Sequence, residues 1–190
     1  MSGTLATEAT RRRLTARQAD TVRRLTEAGV EEVRESGYEN LSIRDVARRA
    51  GVAPATAYTY FGSKDHLLAE IFWRRLSALP PVADRSDGAG RKAEVIGVLR
   101  ELALLVSEEP ELAAGCTAAM FGGEPDVRQL RLQIGRQIHE RIEAAAGRGS
   151  PQGRLLELAF FGAMVEAGLG YTTYEHVADQ LAEAAELIMD

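Results

Sequence analysis

Residues 41–68 read LSIRDVARRAGVAPATAYTYFGSKDHLL, and their punctuation decides the fold. Ser42 with Asp45 three residues on is a helix-capping signature, and Ile43, Val46, Ala47 and Ala50 then make a short apolar face that Gly51 ends. Val52 and Ala53 form a tight link. Pro54 brings a fixed φ and no amide donor, which suits the first turn of a second short helix running through Ala57 and Tyr58 to Phe61. Gly62 breaks that helix and Ser63 caps a longer one from Lys64 to Leu79, with Leu67, Leu68, Ile71, Phe72 and Leu76 facing inward until Pro80-Pro81 stops it.

On the N-terminal side, Thr15 with Gln18 is a capping box, and Val22, Leu25, Gly29, Val30 and Val33 recur at helical spacing. This first helix is predicted to stop at Ser36-Gly37, with Tyr38 and Leu41 returning the chain to the core. Two short helices joined across a Gly-containing turn, with a packing helix before them, are the parts of a helix-turn-helix, whose second helix enters a DNA major groove. The same pattern also occurs in inert helical bundles.

The spelling is more specific than the geometry. A hydroxyl residue before Ile43-Arg44-Asp45-Val46-Ala47, then Ala50-Gly51-Val52, then Thr56-x-Tyr58-x-Tyr60-Phe61 and Ser63-Lys64, resembles the DNA-binding domain of TetR-family bacterial transcriptional regulators. The likeness covers these 28 residues, or roughly 60 with the first helix, and fades beyond Leu79. It implies an all-α protein: an N-terminal three-helix helix-turn-helix domain, then a C-terminal helical domain for ligand binding and dimerisation. The segments expected are a flexible basic arm (1–14), the helix-turn-helix domain (15–62), a connecting helix (63–79), a loop (80–90) and the effector and dimer domain (91–190).

For DNA contact the resemblance points to Ser42, Arg44, Ala55, Thr56, Thr59, Tyr60 and Lys64. Ser42 would cap its helix and can also turn its hydroxyl to a phosphate. Arg44 can reach a phosphate or a guanine edge, or pair with Asp45 or a neighbouring helix. Ala55, Thr56, Thr59 and Tyr60 are placed on the exposed side of the recognition helix, with Tyr58 and Phe61 inward. Lys64 joins a cation to the N-terminal amides of its helix, a pairing suited to phosphate. The family often has Gly where Ala55 stands, a larger aliphatic at Ala57 and His or Arg at Thr59, so the base preference here is its own. Arg11 to Arg13 and Arg17 are a basic arm able to add backbone or minor-groove contacts, or a solubilising tail. Arg48 and Arg49 are assigned to solvent or to acidic neighbours such as Glu31 or Glu35.

Composition and charge agree with this division. Of 190 residues 6% are aromatic and the six prolines fall in a few short stretches, which favours helices over strands. Net charge is −5, but residues 1–76 carry +3 and residues 77–190 carry −8, a basic reader on an acidic body. The single Cys116 cannot form an internal disulfide, and a reducing cytoplasm is expected. The longest apolar run, Ala159 to Val165, is far below the roughly 20 residues of a membrane span.

The C-terminal part reads as helices near 91–106, 110–121, 126–146, 152–171 and 175–189. A homodimer is implied by the resemblance, with Leu155, Leu158, Ala159, Gly162, Ala163, Val165 and Leu169 on one helix and Val177, Leu181, Ala184 and Ile188 on the next forming its face, or else intrachain core. Trp73, Leu99, Phe121, Ile134, Ile138, Phe160 and Met164 are the candidate lining of an effector pocket, or simple core, and the few inward polar residues suggest a small apolar effector. The expected partners are therefore a double-stranded DNA operator, that effector and a second copy of the chain, with no cofactor, metal or membrane. No nucleophile elbow or Walker loop is present, so an enzyme is not expected. His66 and Glu70 lie four apart on one helix without an evident third ligand. The rival reading is a helical interaction or lipid-sequestering protein that keeps the fold without operator binding.

Overall fold

The computed structural model describes residues 15–82 and 88–189, all of the regular structure among them helical. The expectation for the basic arm at 1–14 lies outside these residues. Helix α1 (Ala16–Asn40) starts in the expected capping box, with Thr15 and Gln18 bonded reciprocally. It does not stop at Ser36-Gly37. Gly37, at φ 73° and ψ 166°, kinks the chain, and one more turn follows before Leu41. A left-handed φ costs a residue with a Cβ roughly 1–2 kcal/mol, so glycine is what lets the helix turn there and resume.

Helices α2 (Ile43–Arg49), α3 (Pro54–Tyr60) and α4 (Lys64–Ala78) follow, α2 and α4 capped by Ser42 and Ser63 and α3 opened by Pro54. The second half comprises α5 (Gly88–Ala103), α6 (Pro110–Phe121), a 3₁₀ turn Pro125–Val127, α7 (Arg128–Ala146), α8 (Pro151–Gly168) and α9 (Tyr174–Ile188). Helix α5 thus starts three residues ahead of the expected Arg91.

Packing joins the halves along α6, which lies against both α1 and α4, while α5 packs on α7 and α9, and α8 on α7 and α9. The core is continuous, from Val22, Leu25, Val33, Val46 and Leu67 in the first half to Leu99, Leu112, Ile134, Leu156 and Leu181 in the second. Glu109, at the head of α6, bridges Arg34 of α1 at 2.5 Å and Arg75 of α4. Its partial burial favours the neutral acid, but the hydrogen bonds from Arg34 and Arg75 outweigh that and hold the carboxyl below its usual value. Arg141 of α7 is buried, donating to Pro80 O at 2.9 Å and to Glu101 of α5 at 2.5 Å. Burial pushes the Cys116 thiol up to about 12, the condition of an inert sulfur. Among the described residues no helix is long and apolar enough to cross a membrane, and no three His, Cys, Asp or Glu gather to hold a metal ion.

Candidate nucleic-acid interface

The turn between α2 and α3 is built by backbone bonds and one arginine. Val52 N donates to Ala47 O at 2.9 Å and Gly51 N to Arg48 O at 3.1 Å, with Gly51 at φ 62°. Arg24 of α1 reaches across and donates to the carbonyls of Ala50 and Gly51, groups that the end of α2 leaves unpaired. A side chain at Gly51 meets both penalties, since its Cβ would sit 3.1 Å from Arg24 Nη2 in a left-handed conformation. Gly51→Val is accordingly expected to destabilise by roughly 2 kcal/mol, read from urea unfolding. A midpoint equal to wild type would show that the turn tolerates a Cβ.

Helix α3 is seven residues long and anchors through Ala57, which is fully buried, and Phe61 just past its end. That pair lies four apart, so one side of the helix is committed to the protein. Pro54, Ala55, Thr56, Tyr58 and Thr59 are exposed, and Tyr60 is half-buried against the core. The expected arrangement of the two tyrosines is therefore reversed: Tyr58, placed inward by the sequence reading, is 53% exposed, and Tyr60 is the one that turns in. The physical reason is helical period, since position 60 follows Ala57 by three and shares its face, whereas 58 lies about 100° away. Tyr58 is the residue of the exposed face that sequence reasoning missed, and the Ala57–Phe61 spacing was the signal for it.

Ser42 is committed to its cap, accepting from Asp45 N at 3.1 Å and donating to Asp45 Oδ2 at 2.5 Å. That bond, joined by Arg48 at 2.6 Å, lowers the Asp45 pKa. Arg49 is likewise engaged, with Glu32 at 2.8 Å and with Glu35. Both arginines thus find acidic partners, though Glu32 and Asp45 take part where Glu31 was named. Arg44 is exposed and makes no hydrogen bond or ion pair among the described residues. Thr59 donates its hydroxyl to Ala55 O at 3.0 Å, leaving its methyl and free lone pair for a partner.

Lys64 departs furthest from its expected posture. Its ammonium turns back onto α1, donating to Tyr38 O at 2.8 Å and Glu39 O at 3.2 Å and lying 4.1 Å from the centre of the Tyr38 ring. The carbonyls ending α1 carry the negative pole of that helix and draw the cation in. His66 packs edge-on to Phe61 and faces Asp126, and Glu70 pairs with Arg74 at 2.8 Å, so these two do not converge on a shared metal.

Of the seven candidate pocket residues, Leu99, Ile134, Ile138 and Phe160 are buried and Trp73 and Met164 half-buried, but Phe121 is 56% exposed. As the last residue of α6, with Gly122 and Gly123 beyond, it has no following turn to fold it inward. Two surface cavities, of about 70 Å³ beside His139 and Ser150 and about 490 Å³ beside Arg24 and Arg49, include none of the seven. Leu155 and Leu158 on α8 and Leu169 just past its end are 54%, 71% and 62% exposed, while Val177 and Leu181 of α9 are buried within the chain. The two helices assigned to one dimer face therefore divide between a bare apolar stripe and intrachain core.

Comparison with known proteins agrees with this architecture. The profile of the bacterial regulatory proteins, tetR family, matches residues 25–71, which span the last two-thirds of α1 through the first half of α4. An uncharacterized HTH-type transcriptional regulator of Mycobacterium tuberculosis is 46% identical over 177 residues, covering 91% of this chain and 82% of that protein. The HTH-type transcriptional repressor KstR of Mycolicibacterium smegmatis is 36% identical over 139 residues, 70% of this chain and 67% of its own. In structure, a TetR transcriptional regulator from Rhodococcus sp. RHA1 superposes with a TM-score of 0.73 at 22% identity, covering 92% of this chain and 97% of that one. With a helix-turn-helix of this build and relatives that extend the likeness through the second half, the chain belongs to the TetR family of DNA-binding transcriptional regulators.

Proposed function

We propose that this regulator is a repressor that binds a (pseudo)palindromic operator as a homodimer and is released by a small apolar effector. The observation that carries the DNA-binding part is the bare face of α3, where Ala55, Thr56, Tyr58 and Thr59 are all exposed, together with Arg44 of α2, which is exposed and makes no hydrogen bond or ion pair among the described residues. Short side chains at 55 and 56 let the backbone approach the groove. The Thr59 methyl suits a thymine, and the Tyr58 hydroxyl has the reach and polarity for a phosphate. Two copies would present two such faces to successive major grooves, about 34 Å apart.

Repression is supported by the name of the 36%-identical relative. The dimer is supported by the bare leucines of α8 and its end, since Leu155, Leu158 and Leu169, exposed at 54–71%, are what a second copy would cover. An apolar effector is supported by the apolar second-half core, which includes Leu99, Ile134, Ile138 and Phe160. Release requires only that the effector prefer a dimer whose two α3 helices are wrongly spaced, because differential affinity alone shifts such an equilibrium.

The test is binding of the purified protein to DNA from its own upstream region against scrambled DNA, over a salt series and with a library of apolar small molecules. Preference for one duplex, relieved by a compound, is the expected result. In the same assay Arg44→Ala is expected to cost about 1–3 kcal/mol of binding, with a shallower salt slope for a phosphate contact or relaxed base preference for a guanine contact. An Arg44→Ala affinity equal to wild type would remove that residue from the interface. No preference for any duplex, even after selection from random sequences, would put the helical interaction-protein reading in place of this one.

A further inference from the structure

Lys64, Tyr38 and Asp65 meet at the joint between the end of α1 and the start of α4, and we infer that they are a clamp that positions the recognition helix, with Lys64 acting on the protein's own backbone and not on a DNA phosphate. Two consecutive residues of α4 take hold of one residue of α1. Lys64 Nζ donates to Tyr38 O at 2.8 Å and Glu39 O at 3.2 Å and lies over the ring, and Asp65 Oδ1 accepts the Tyr38 hydroxyl at 2.8 Å. Asp65 is only 6% exposed, and a carboxylate so enclosed needs a donor. The Tyr38 hydroxyl is correspondingly hard to ionise, its pKa pushed up to about 12 by burial and by the bond to Asp65.

The position of this clamp gives it leverage over DNA binding. Gly37 turns the chain at φ 73°, Tyr38 and Glu39 are gripped, and Ser42 starts α2 three residues later. Helix α3 packs chiefly on α2, so whatever fixes the entry of α2 fixes the exposed face of α3. On this geometry Lys64 is a positioning residue. The inference rests on the reading that α3 docks on DNA, and it makes a prediction opposite to that of a phosphate-binding lysine: loss of the ammonium lowers affinity without removing a counterion-releasing contact.

The test compares full-length wild type with Lys64→Met, Lys64→Arg and Tyr38→Phe in two measurements. The first is amide hydrogen exchange across residues 38–47 without DNA. The second is affinity, over a salt series, for the duplex that wild type selects from a random pool. Exchange in Lys64→Met is expected to rise about tenfold with a similar loss of affinity, the size of a hydrogen-bonded cation removed, at an unchanged salt slope. Tyr38→Phe should move both readouts less in the same direction, and Lys64→Arg, which keeps a cationic donor, should restore them. A slope shallower by about one in Lys64→Met identifies a phosphate contact and overturns the clamp. Unchanged exchange in both Lys64→Met and Tyr38→Phe, or unchanged affinity in Lys64→Met, overturns it as well. If wild type selects no duplex, the DNA-binding reading fails, and exchange at 38–47 still decides whether the clamp exists.

Discussion

Phe61→Ala is expected to lower the unfolding free energy by roughly 3–5 kcal/mol, the range for truncating a fully packed aromatic. Phe61 is 3% exposed, closes α3 by donating its backbone N–H to Ala57 O at 2.9 Å, and meets His66 of α4 edge-on with ring centres 5.6 Å apart. It is thus the side chain that pins the end of the recognition helix to the helix that follows. Its removal leaves a void at a junction where, among the described residues, Ala57 and the inner side of Tyr60 are the further anchors of α3. Operator affinity should fall with stability, because α3 would no longer be held in one orientation. The comparison is the same truncation at Tyr58, 53% exposed, which is expected to stay within about 0.5 kcal/mol of wild type. Urea unfolding of the two variants separates them. Equal costs at 58 and 61 would mean that the assignment of the two faces of α3 is wrong.

Leu158→Arg is expected to turn the proposed dimer into a folded monomer and to reduce operator affinity by at least about 100-fold. Leu158 is 71% exposed in the chain by itself, with Leu155 one turn before it on α8 at 54% and Leu169 just past the end of that helix at 62%. A charge there costs the single chain little, since the position is already in water. In a dimer the same charge would be buried against leucines of the second copy with no opposite partner, a penalty of several kcal/mol. Binding to a two-fold operator then loses its second foot, and with it the effective-concentration gain of about 10²–10⁴ that tethering confers. Light scattering gives the mass and thermal unfolding the fold. A wild type that runs as a monomer, or a variant that stays a dimer with full affinity, would count against α8 as the interface.

Much of this molecule was legible in the chain because its signals are local. Thr15, Ser42 and Ser63 each accept from an amide three residues on, as a capping residue in extended backbone must, and Pro54 opens α3 where its missing donor does no harm. Residues 43–61 therefore declared two short helices and a turn before any contact was known. Of the four residues that the resemblance placed on the exposed side, Ala55, Thr56 and Thr59 are exposed and Tyr60 is not, and Arg49, left to solvent or to acidic neighbours, takes the acidic ones. Gly37 was read as a stop because glycine ends helices. In the structure it is a kink with one more turn beyond it, whose Tyr38 and Glu39 carbonyls Lys64 holds from 26 and 25 residues away in sequence.

What the sequence by itself determined is the order, caps and approximate ends of the helices, along with the helix-turn-helix spelling that carries the family, since each depends on residues within a turn or two of one another. Tertiary structure alone decided where ambiguous side chains go. The helical period sets 57, 60 and 61 on one side of α3 and 58 on another, but which side faces the protein was decided by the docking of Ala57 and Phe61. A lysine at a helix start serves an external phosphate or a neighbouring carbonyl equally well by local rules, and the end of α1 lay within reach of Lys64. The apolar spacings of α8 and α9 look alike in sequence, yet α9, packed on α5 and α8, buries Val177 and Leu181, while Leu155 and Leu158 of α8 and Leu169 at its end stay in water. An apolar stripe records only that something must cover it, and which surface does so depends on the packing of the whole chain.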